Sequence, residues 1–162
     1  FEAPAREVKG ATSILEGIRQ VLGEDQVVAN DEEADVVIVV VGEEPYAEMF
    51  GDRKAEELVL TDEQKALISQ YHAAGKRVVT VLISGRPLLV NDELAHSEAF
   101  VAAWLPGSEG AGIADVLFGD YGFSGKLGFS WPRSPEQIPI RVGDEDYDPL
   151  FPFGYGLSTS VH

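Results

Sequence analysis

Apolar residues recur at helical spacing near the start of the chain. Between residues 12 and 23 the positions that share one face of a helix are Ile14, Leu15, Ile18, Val21 and Leu22. Ser13 and Glu16 fit a capping box at the beginning of this segment, and Gly23 is a natural stop. The pattern therefore predicts an amphipathic helix that begins after Ser13 and ends before Gly23.

A second helix is predicted over the segment TDEQKALISQYHAAG (61–75). Thr61 and Gln64 form its capping box, and Gly75 is placed to end it. Two shorter helices are predicted within residues 88–97 and 110–119.

Runs dominated by apolar residues alternate with these helices. The predicted strands are 26–29, which is short, 36–41, which is apolar on both faces, 77–84, which is predicted to be fully buried, and 99–104. Strands that are apolar on both faces are typical of parallel sheets covered by helices on each side. We therefore predict an α/β domain with a mostly parallel sheet sandwiched between helices. After Gly119 the pattern changes to an irregular region of short strands and turns, including a strand over 126–132.

Three loops follow the carboxyl ends of the predicted central strands, where ligands of open parallel sheets bind. They are GEEPYAEMFGD (42–52), SGRP (84–87) and LPGSEGAG (105–112). We expect their charged residues to share one edge of the sheet: Glu43, Glu44, Glu48, Asp52, Arg53, Arg86 and Glu109.

Composition narrows the class of protein. The 162 residues favour a single domain spanning 1–162, and 28 acidic against 12 basic residues give a net charge of −16. This charge disfavours nucleic acid and anionic membrane surfaces as partners, and no apolar run reaches the ~18 residues that a membrane span needs. Cysteine is absent, which excludes disulfides and thiolate chemistry. Since the chain begins with Phe1 and not with methionine, we expect a piece of a longer protein.

Several kinds of site are disfavoured by the motifs. The segment GSEGAG could cradle a phosphate at a helix amino terminus, but it lacks the P-loop lysine and the dinucleotide spacing. The histidines 72, 96 and 162 have no carboxylate at metal-ligand spacing. Serines 84, 108 and 130 lie in no nucleophile-elbow pattern.

Carboxylates remain as the candidate chemistry. Glycoside cleavage needs two carboxyl groups, one of which protonates the departing oxygen and has a raised pKa. Negative neighbours, an aromatic ring and a stiffening proline in GEEPYAE fit such an acid, and the alternative is a solvated acidic loop.

Four segments occur in an order that resembles the second domain of glycoside hydrolase family 3. They are GEEPYAEMFGD, VLISGRPLLV, AFVAAWLPGSEGAGIADVLFGDYGFSGKLGFSWPRS and YDPLFPFGYGLS. The resemblance extends from about Gly10 to Ser158 and is nearest to exo-acting β-glucan glucohydrolases and β-glucosidases. It implies a retaining enzyme in which an N-terminal barrel supplies the nucleophile aspartate and this α/β sandwich supplies the acid/base.

The resemblance implies one catalytic residue in this chain, Glu48. Plant exo-glucanases carry GExPYTE in this loop, and their second glutamate, the proton donor, matches Glu48. Glu43 matches the first glutamate, which we interpret as loop architecture or pKa tuning, and Ala47 replaces the threonine. No metal or organic cofactor is implied.

Two parts of the family pattern are missing from this chain. They are the barrel and the first strand of the sandwich, with the tryptophan-bearing loop after it. We therefore expect an inactive isolated chain and an uncovered sheet edge, filled by the parent enzyme or by a homodimer. The substrate would be a β-glucan or β-glucoside and the location periplasmic or secreted. The alternatives are a non-catalytic carbohydrate-binding or structural module and a nucleotide-binding domain.

Overall fold

The computed structural model describes residues 9–28, 33–45 and 53–161. Its helices are α1 (Ile14–Leu22), α2 (Asp62–Ala73), α3 (Asn91–Ala95) and α4 (Gly110–Phe118), and its strands are β1 (Val36–Gly42), β2 (Arg77–Ile83) and β3 (Ala99–Trp104). The chain forms two compact units. The helical unit comprises Phe1–Glu33, Pro106–Phe123 and Ser158–His162, and the sheet unit comprises Ala34–Leu105 and Ser124–Leu157.

The sheet unit contains one parallel sheet in the order β1-β2-β3, which confirms the predicted α/β class. Alternate residues of β1 and β2, such as Val39 and its partner Thr80, face a core that excludes solvent. Helix α2 packs on this sheet, and its Ile68 is fully buried in the same core. The core cluster is Val39, Val41, Leu58, Leu60, Ile68, Val78, Leu82, Leu88, Val90 and Trp131.

Local sequence signals set the ends of α2 as predicted. The Thr61 hydroxyl accepts from the Gln64 N–H, and the Gln64 side chain accepts from the Thr61 N–H, so the capping box is complete. The helix ends at Ala73, and Gly75 adopts a φ of +73° that glycine tolerates better than other residues. This prediction is confirmed.

The helical unit pairs α1 with α4 at very close range. The Ser13–Glu16 capping box forms as predicted, and the Gly23 N–H closes the helix on the Arg19 carbonyl. A Cβ on Gly17 would lie 2.8 Å from Ala111 Cα, and a Cβ on Gly110 would collide with the backbone of Ser13. The two helices therefore approach backbone to backbone, which only glycine permits at these positions.

The predicted strand over 26–29 is wrong for the residues that the structure describes. Glu24–Gln26 forms a 3-10 turn, and neither Val27 nor Val28 belongs to a strand. The Gln26 N–H bonds the Gly23 carbonyl at 3.2 Å, so the chain satisfies its main-chain groups locally after the helix instead of pairing with a sheet. Ala29 lies outside the described residues.

The region after Gly119 is irregular, as predicted, but 126–132 is not a regular strand. Within the described residues its pairing is an isolated antiparallel bridge between Trp131 and Phe151. Pro132 follows the bridge and has no N–H with which to extend it. The prediction of a single domain over 1–162 stays a prediction.

Candidate active site at the carboxyl end of the sheet

The carboxyl ends of β1 and β2 lie side by side. Gly42 pairs with Ile83, and the Glu43 N–H donates to the Ile83 carbonyl at 2.8 Å, one residue beyond the strand. The loops after both strands therefore start at the same edge, as predicted for loops at the carboxyl ends of parallel strands.

An ion pair joins these two loops. Arg86 Nε lies 2.8 Å from Glu43 Oε1, and the Glu43 side chain is only 5% exposed while that of Arg86 is 23% exposed. The second carboxylate oxygen, Oε2, is buried and has no hydrogen-bond partner among the described residues. The Glu43 side chain is therefore paired with Arg86 and largely withdrawn from solvent.

Two side-chain hydrogen bonds fix the backbone next to the ion pair. Gln64 Nε2 donates to the Gly42 carbonyl at 3.0 Å, which ties the start of α2 to the end of β1. Ser84 Oγ donates to the Arg86 carbonyl at 2.8 Å, and Ser84 is 1% exposed. The sequence predicted Gln64 as a helix cap but not its bond to the Gly42 carbonyl. It also did not predict the bond of Ser84 to the Arg86 carbonyl, although a serine before a glycine at a strand end is a turn signal.

Strained backbone marks the end of β3. Trp104 has a φ of +55°, which is uncommon for a bulky residue, and the register shifts between Leu82 and Ile83 opposite it. The Trp104 carbonyl accepts from the Ser84 N–H at 3.1 Å. The Trp104 ring meets Phe129 edge to face, with centroids 5.4 Å apart. The sequence predicted Trp104 at the end of a strand but not its strained conformation, because a backbone dihedral angle cannot be read from the pattern of residue types.

The structure describes three of the other residues predicted for this edge, namely Glu44, Arg53 and Glu109. Glu44 is exposed and Arg53 is partly buried. Glu109 belongs to the helical unit, where it is exposed before α4. Glu48 and Asp52 lie outside the described residues, so their placement stays a prediction.

The alternative phosphate site at GSEGAG loses a donor in the folded chain. The Gly110 N–H, at the start of α4, donates to the Thr12 carbonyl at 2.9 Å. A phosphate at that helix amino terminus would have to displace this bond.

Two histidines distant in sequence meet in the structure. The rings of His72 and His96 stack with centroids 4.7 Å apart, and Ser69 Oγ lies 3.2 Å from His96 Nδ1. The described residues contain no group of three histidine or acidic side chains that could hold a metal ion. Sequence reasoning missed this pairing, because it depends on how α2 and α3 pack.

The fold is that of a parallel α/β domain, and the match to a family model shows that the chain belongs to the glycosyl hydrolase family 3 C-terminal domain family. The family model matches residues 3–159. The periplasmic beta-glucosidase of Salmonella typhimurium is 39% identical over 159 residues, which cover 85% of this chain and 21% of that protein. A beta-xylosidase of Formosa agariphila is 36% identical and covers 79% of this chain and 20% of its own length.

Solved structures give the same relationship. The exo-1,3/1,4-beta-glucanase from a Pseudoalteromonas species superposes with a TM-score of 0.78 and 48% identity, covering 92% of this chain and 20% of that one. The beta-glucosidase from Listeria innocua gives a TM-score of 0.78 and 30% identity, with 94% and 26% covered. The chain thus spans about a fifth of the length of the curated relatives that it matches. None of the described helices has the length and apolar character to cross a bilayer.

Proposed function

We propose that this chain is the acid/base-bearing domain of a retaining, exo-acting β-glucosidase or β-glucan glucohydrolase. The observation that carries the proposal is the anchoring of Glu43 at the carboxyl end of the sheet, at the start of the loop whose motif contains Glu48. The relatives named as beta-glucosidases and exo-glucanases support the same reaction class.

Glu48 acts twice in the proposed reaction. It protonates the glycosidic oxygen as the nucleophile aspartate of the barrel attacks the sugar, and a covalent glycosyl-enzyme forms. Glu48 then deprotonates the water that hydrolyses this intermediate, so that the sugar leaves with retained configuration. The proposed steps need only these two carboxyl groups and no metal or organic cofactor.

The sugar is proposed to be a terminal glucose of a β-glucan or β-glucoside. A β-xyloside is the second candidate, because one relative is named a beta-xylosidase. A periplasmic or secreted location is proposed from the name of the Salmonella relative.

The proposed partners are the N-terminal barrel of the same enzyme and, at the edge of β1, a further strand. β1 is an outer strand of the three-stranded sheet, and its Val36 and Val40 are 39% and 45% exposed. An exposed apolar edge strand favours pairing with another segment. The parent chain or a second copy would supply that segment. Sedimentation of the full-length parent enzyme distinguishes the two, because only the second requires a dimer there.

The test is a leaving-group series on the full-length parent enzyme, comparing wild type with Glu48→Gln. The substrates are a dinitrophenyl β-glucoside and an alkyl β-glucoside, each with and without azide. We expect the variant to lose about 10²- to 10⁴-fold in kcat/KM on the alkyl glucoside. It should retain glycosylation by the activated substrate and form glucosyl azide. Equal losses on both substrates would favour a non-catalytic sugar-binding or structural module instead.

A further inference from the structure

Glu43 is poorly placed to contact a ligand. Its side chain is 5% exposed and its Oε2 is buried, so solvent and substrate have little access to the carboxylate. Its charge is already compensated by Arg86 at 2.8 Å. A role in the reaction must therefore be exerted through the backbone that Glu43 holds.

Stability alone is a weak reason for such a pair. Burying two charges costs desolvation free energy, and apolar replacements of the same volume are often as stable. An ion pair differs from an apolar contact in its direction, because the hydrogen bond from Arg86 Nε to Glu43 Oε1 is favourable only over a narrow range of angles and distances. The Glu43–Arg86 pair is thus suited to setting the relative position of two loops.

The frame around the pair is fixed on both sides. The Glu43 N–H is held by the Ile83 carbonyl and the Gly42 carbonyl by Gln64, while the buried Ser84 holds the Arg86 carbonyl. Glu48 follows Glu43 by five residues, and extended chain spans at most about 3.5 Å per residue. The pair therefore holds the chain at the start of the segment that contains Glu48.

We propose that Glu43 and Arg86 are positioning residues for the acid/base of the reaction, and that neither touches the substrate. This inference rests on the proposed function of Glu48. Loss of the pair displaces the acid relative to the glycosidic oxygen, and a displacement of about 1 Å can cost on the order of 100-fold in rate. The loss falls mainly on substrates whose leaving group needs a proton.

The experiment compares Glu43→Gln, Arg86→Met and the double variant in the full-length parent enzyme. We expect each to lower kcat/KM for an alkyl β-glucoside by on the order of 100-fold, and to affect a dinitrophenyl β-glucoside far less. Because the two residues act as one unit, the double variant should lose little more than either single variant. Arg86→Lys keeps the charge but not the planar fork, so it should recover only part of the activity.

The matched control is Glu24→Gln, which breaks the exposed ion pair of Arg19 and Glu24, where Glu24 is 78% exposed. This control should leave both substrates unaffected. The thermal midpoint of every variant establishes that it is folded, and Arg86→Lys retains the test if Arg86→Met does not fold.

The outcomes separate this inference from the proposed function. If Glu48→Gln shows the leaving-group signature and the folded pair variants lose both substrates equally or neither, the positioning role is refuted and the function stands. If Glu48→Gln lacks the signature, the proposed function fails. If Glu43→Gln shows that signature with azide rescue in its place, Glu43 is itself the acid/base and the positioning role also fails.

Discussion

The indole Nε1 of Trp131 donates a 2.7 Å hydrogen bond to the carbonyl of Leu88, and both residues are almost completely buried. Trp131 lies in the irregular region after α4, and Leu88 lies in the segment that follows β2. This bond joins parts of the sheet unit that are 43 residues apart. It also gives the buried Leu88 carbonyl a hydrogen-bond donor.

Trp131→Phe should destabilise the protein by about 1–3 kcal/mol, because it leaves the buried Leu88 carbonyl without its donor. Urea unfolding followed by far-UV circular dichroism measures the change. Phe153→Leu is the control, since Phe153 is 60% exposed and its replacement should cost no more than about 0.5 kcal/mol. Equal costs for the two variants would contradict the role of the hydrogen bond.

Two glycines at the start of α4 should respond in opposite directions to alanine. Gly110→Ala places a Cβ against the backbone of Ser13 and should destabilise the protein by roughly 1–3 kcal/mol or more. Gly112→Ala meets nothing within 4 Å and should stabilise α4 by about 0.5–1 kcal/mol. Thermal unfolding of the pair measures both changes, and a neutral Gly110→Ala would show that α1 and α4 can separate at little cost.

Gln64→Glu tests the bond between α2 and the end of β1. A glutamate keeps the acceptor that caps the Thr61 N–H but loses the amide donor to the Gly42 carbonyl. We expect a loss of about 1 kcal/mol or more in unfolding free energy at neutral pH. Gln64→Ala removes both bonds and should cost more. An unchanged stability for Gln64→Glu would mean that the hydrogen bond to the Gly42 carbonyl does not stabilise the fold.

The capping box of α1 should make stability depend on pH. The Ser13 N–H, at 2.7 Å, and then the Ser13 hydroxyl hold the pKa of Glu16 below its ordinary value. A lowered carboxyl pKa contributes stability above the unfolded value of about 4.3, and this is lost as pH falls through the folded value. The difference in unfolding free energy between wild type and Glu16→Gln should therefore shrink as the pH falls below the unfolded pKa of about 4.3. A difference that is constant with pH would contradict this account.

The isolated 162-residue chain should hydrolyse β-glucosides negligibly. In the proposed mechanism it supplies the proton donor but not the nucleophile, and both are needed for turnover. Release of glucose from cellobiose by the purified chain measures this. Robust turnover by a preparation free of any barrel domain would contradict the proposal that the nucleophile lies in the barrel.

Much of the secondary structure could be predicted because its signals are local. The capping boxes at Ser13 and Thr61 each involve residues three positions apart, and β3 has the predicted bounds of 99–104. The prediction of a strand at 26–29 was wrong because strand pairing is not local. A short apolar pair after a helix does not indicate whether a sheet lies close enough to pair with it.

The sequence by itself determined the α/β class, the family and the loop motif that contains Glu48. These depend on periodicity and on residues that are adjacent along the chain. Only the tertiary structure decided that Glu43 is buried against Arg86, that His72 stacks on His96 and that Trp104 ends β3 in a strained conformation. Each of these depends on the register of neighbouring strands or on the packing of helices, because side chains far apart along the chain, 43 positions for Glu43 and Arg86, meet only when the core between them has formed.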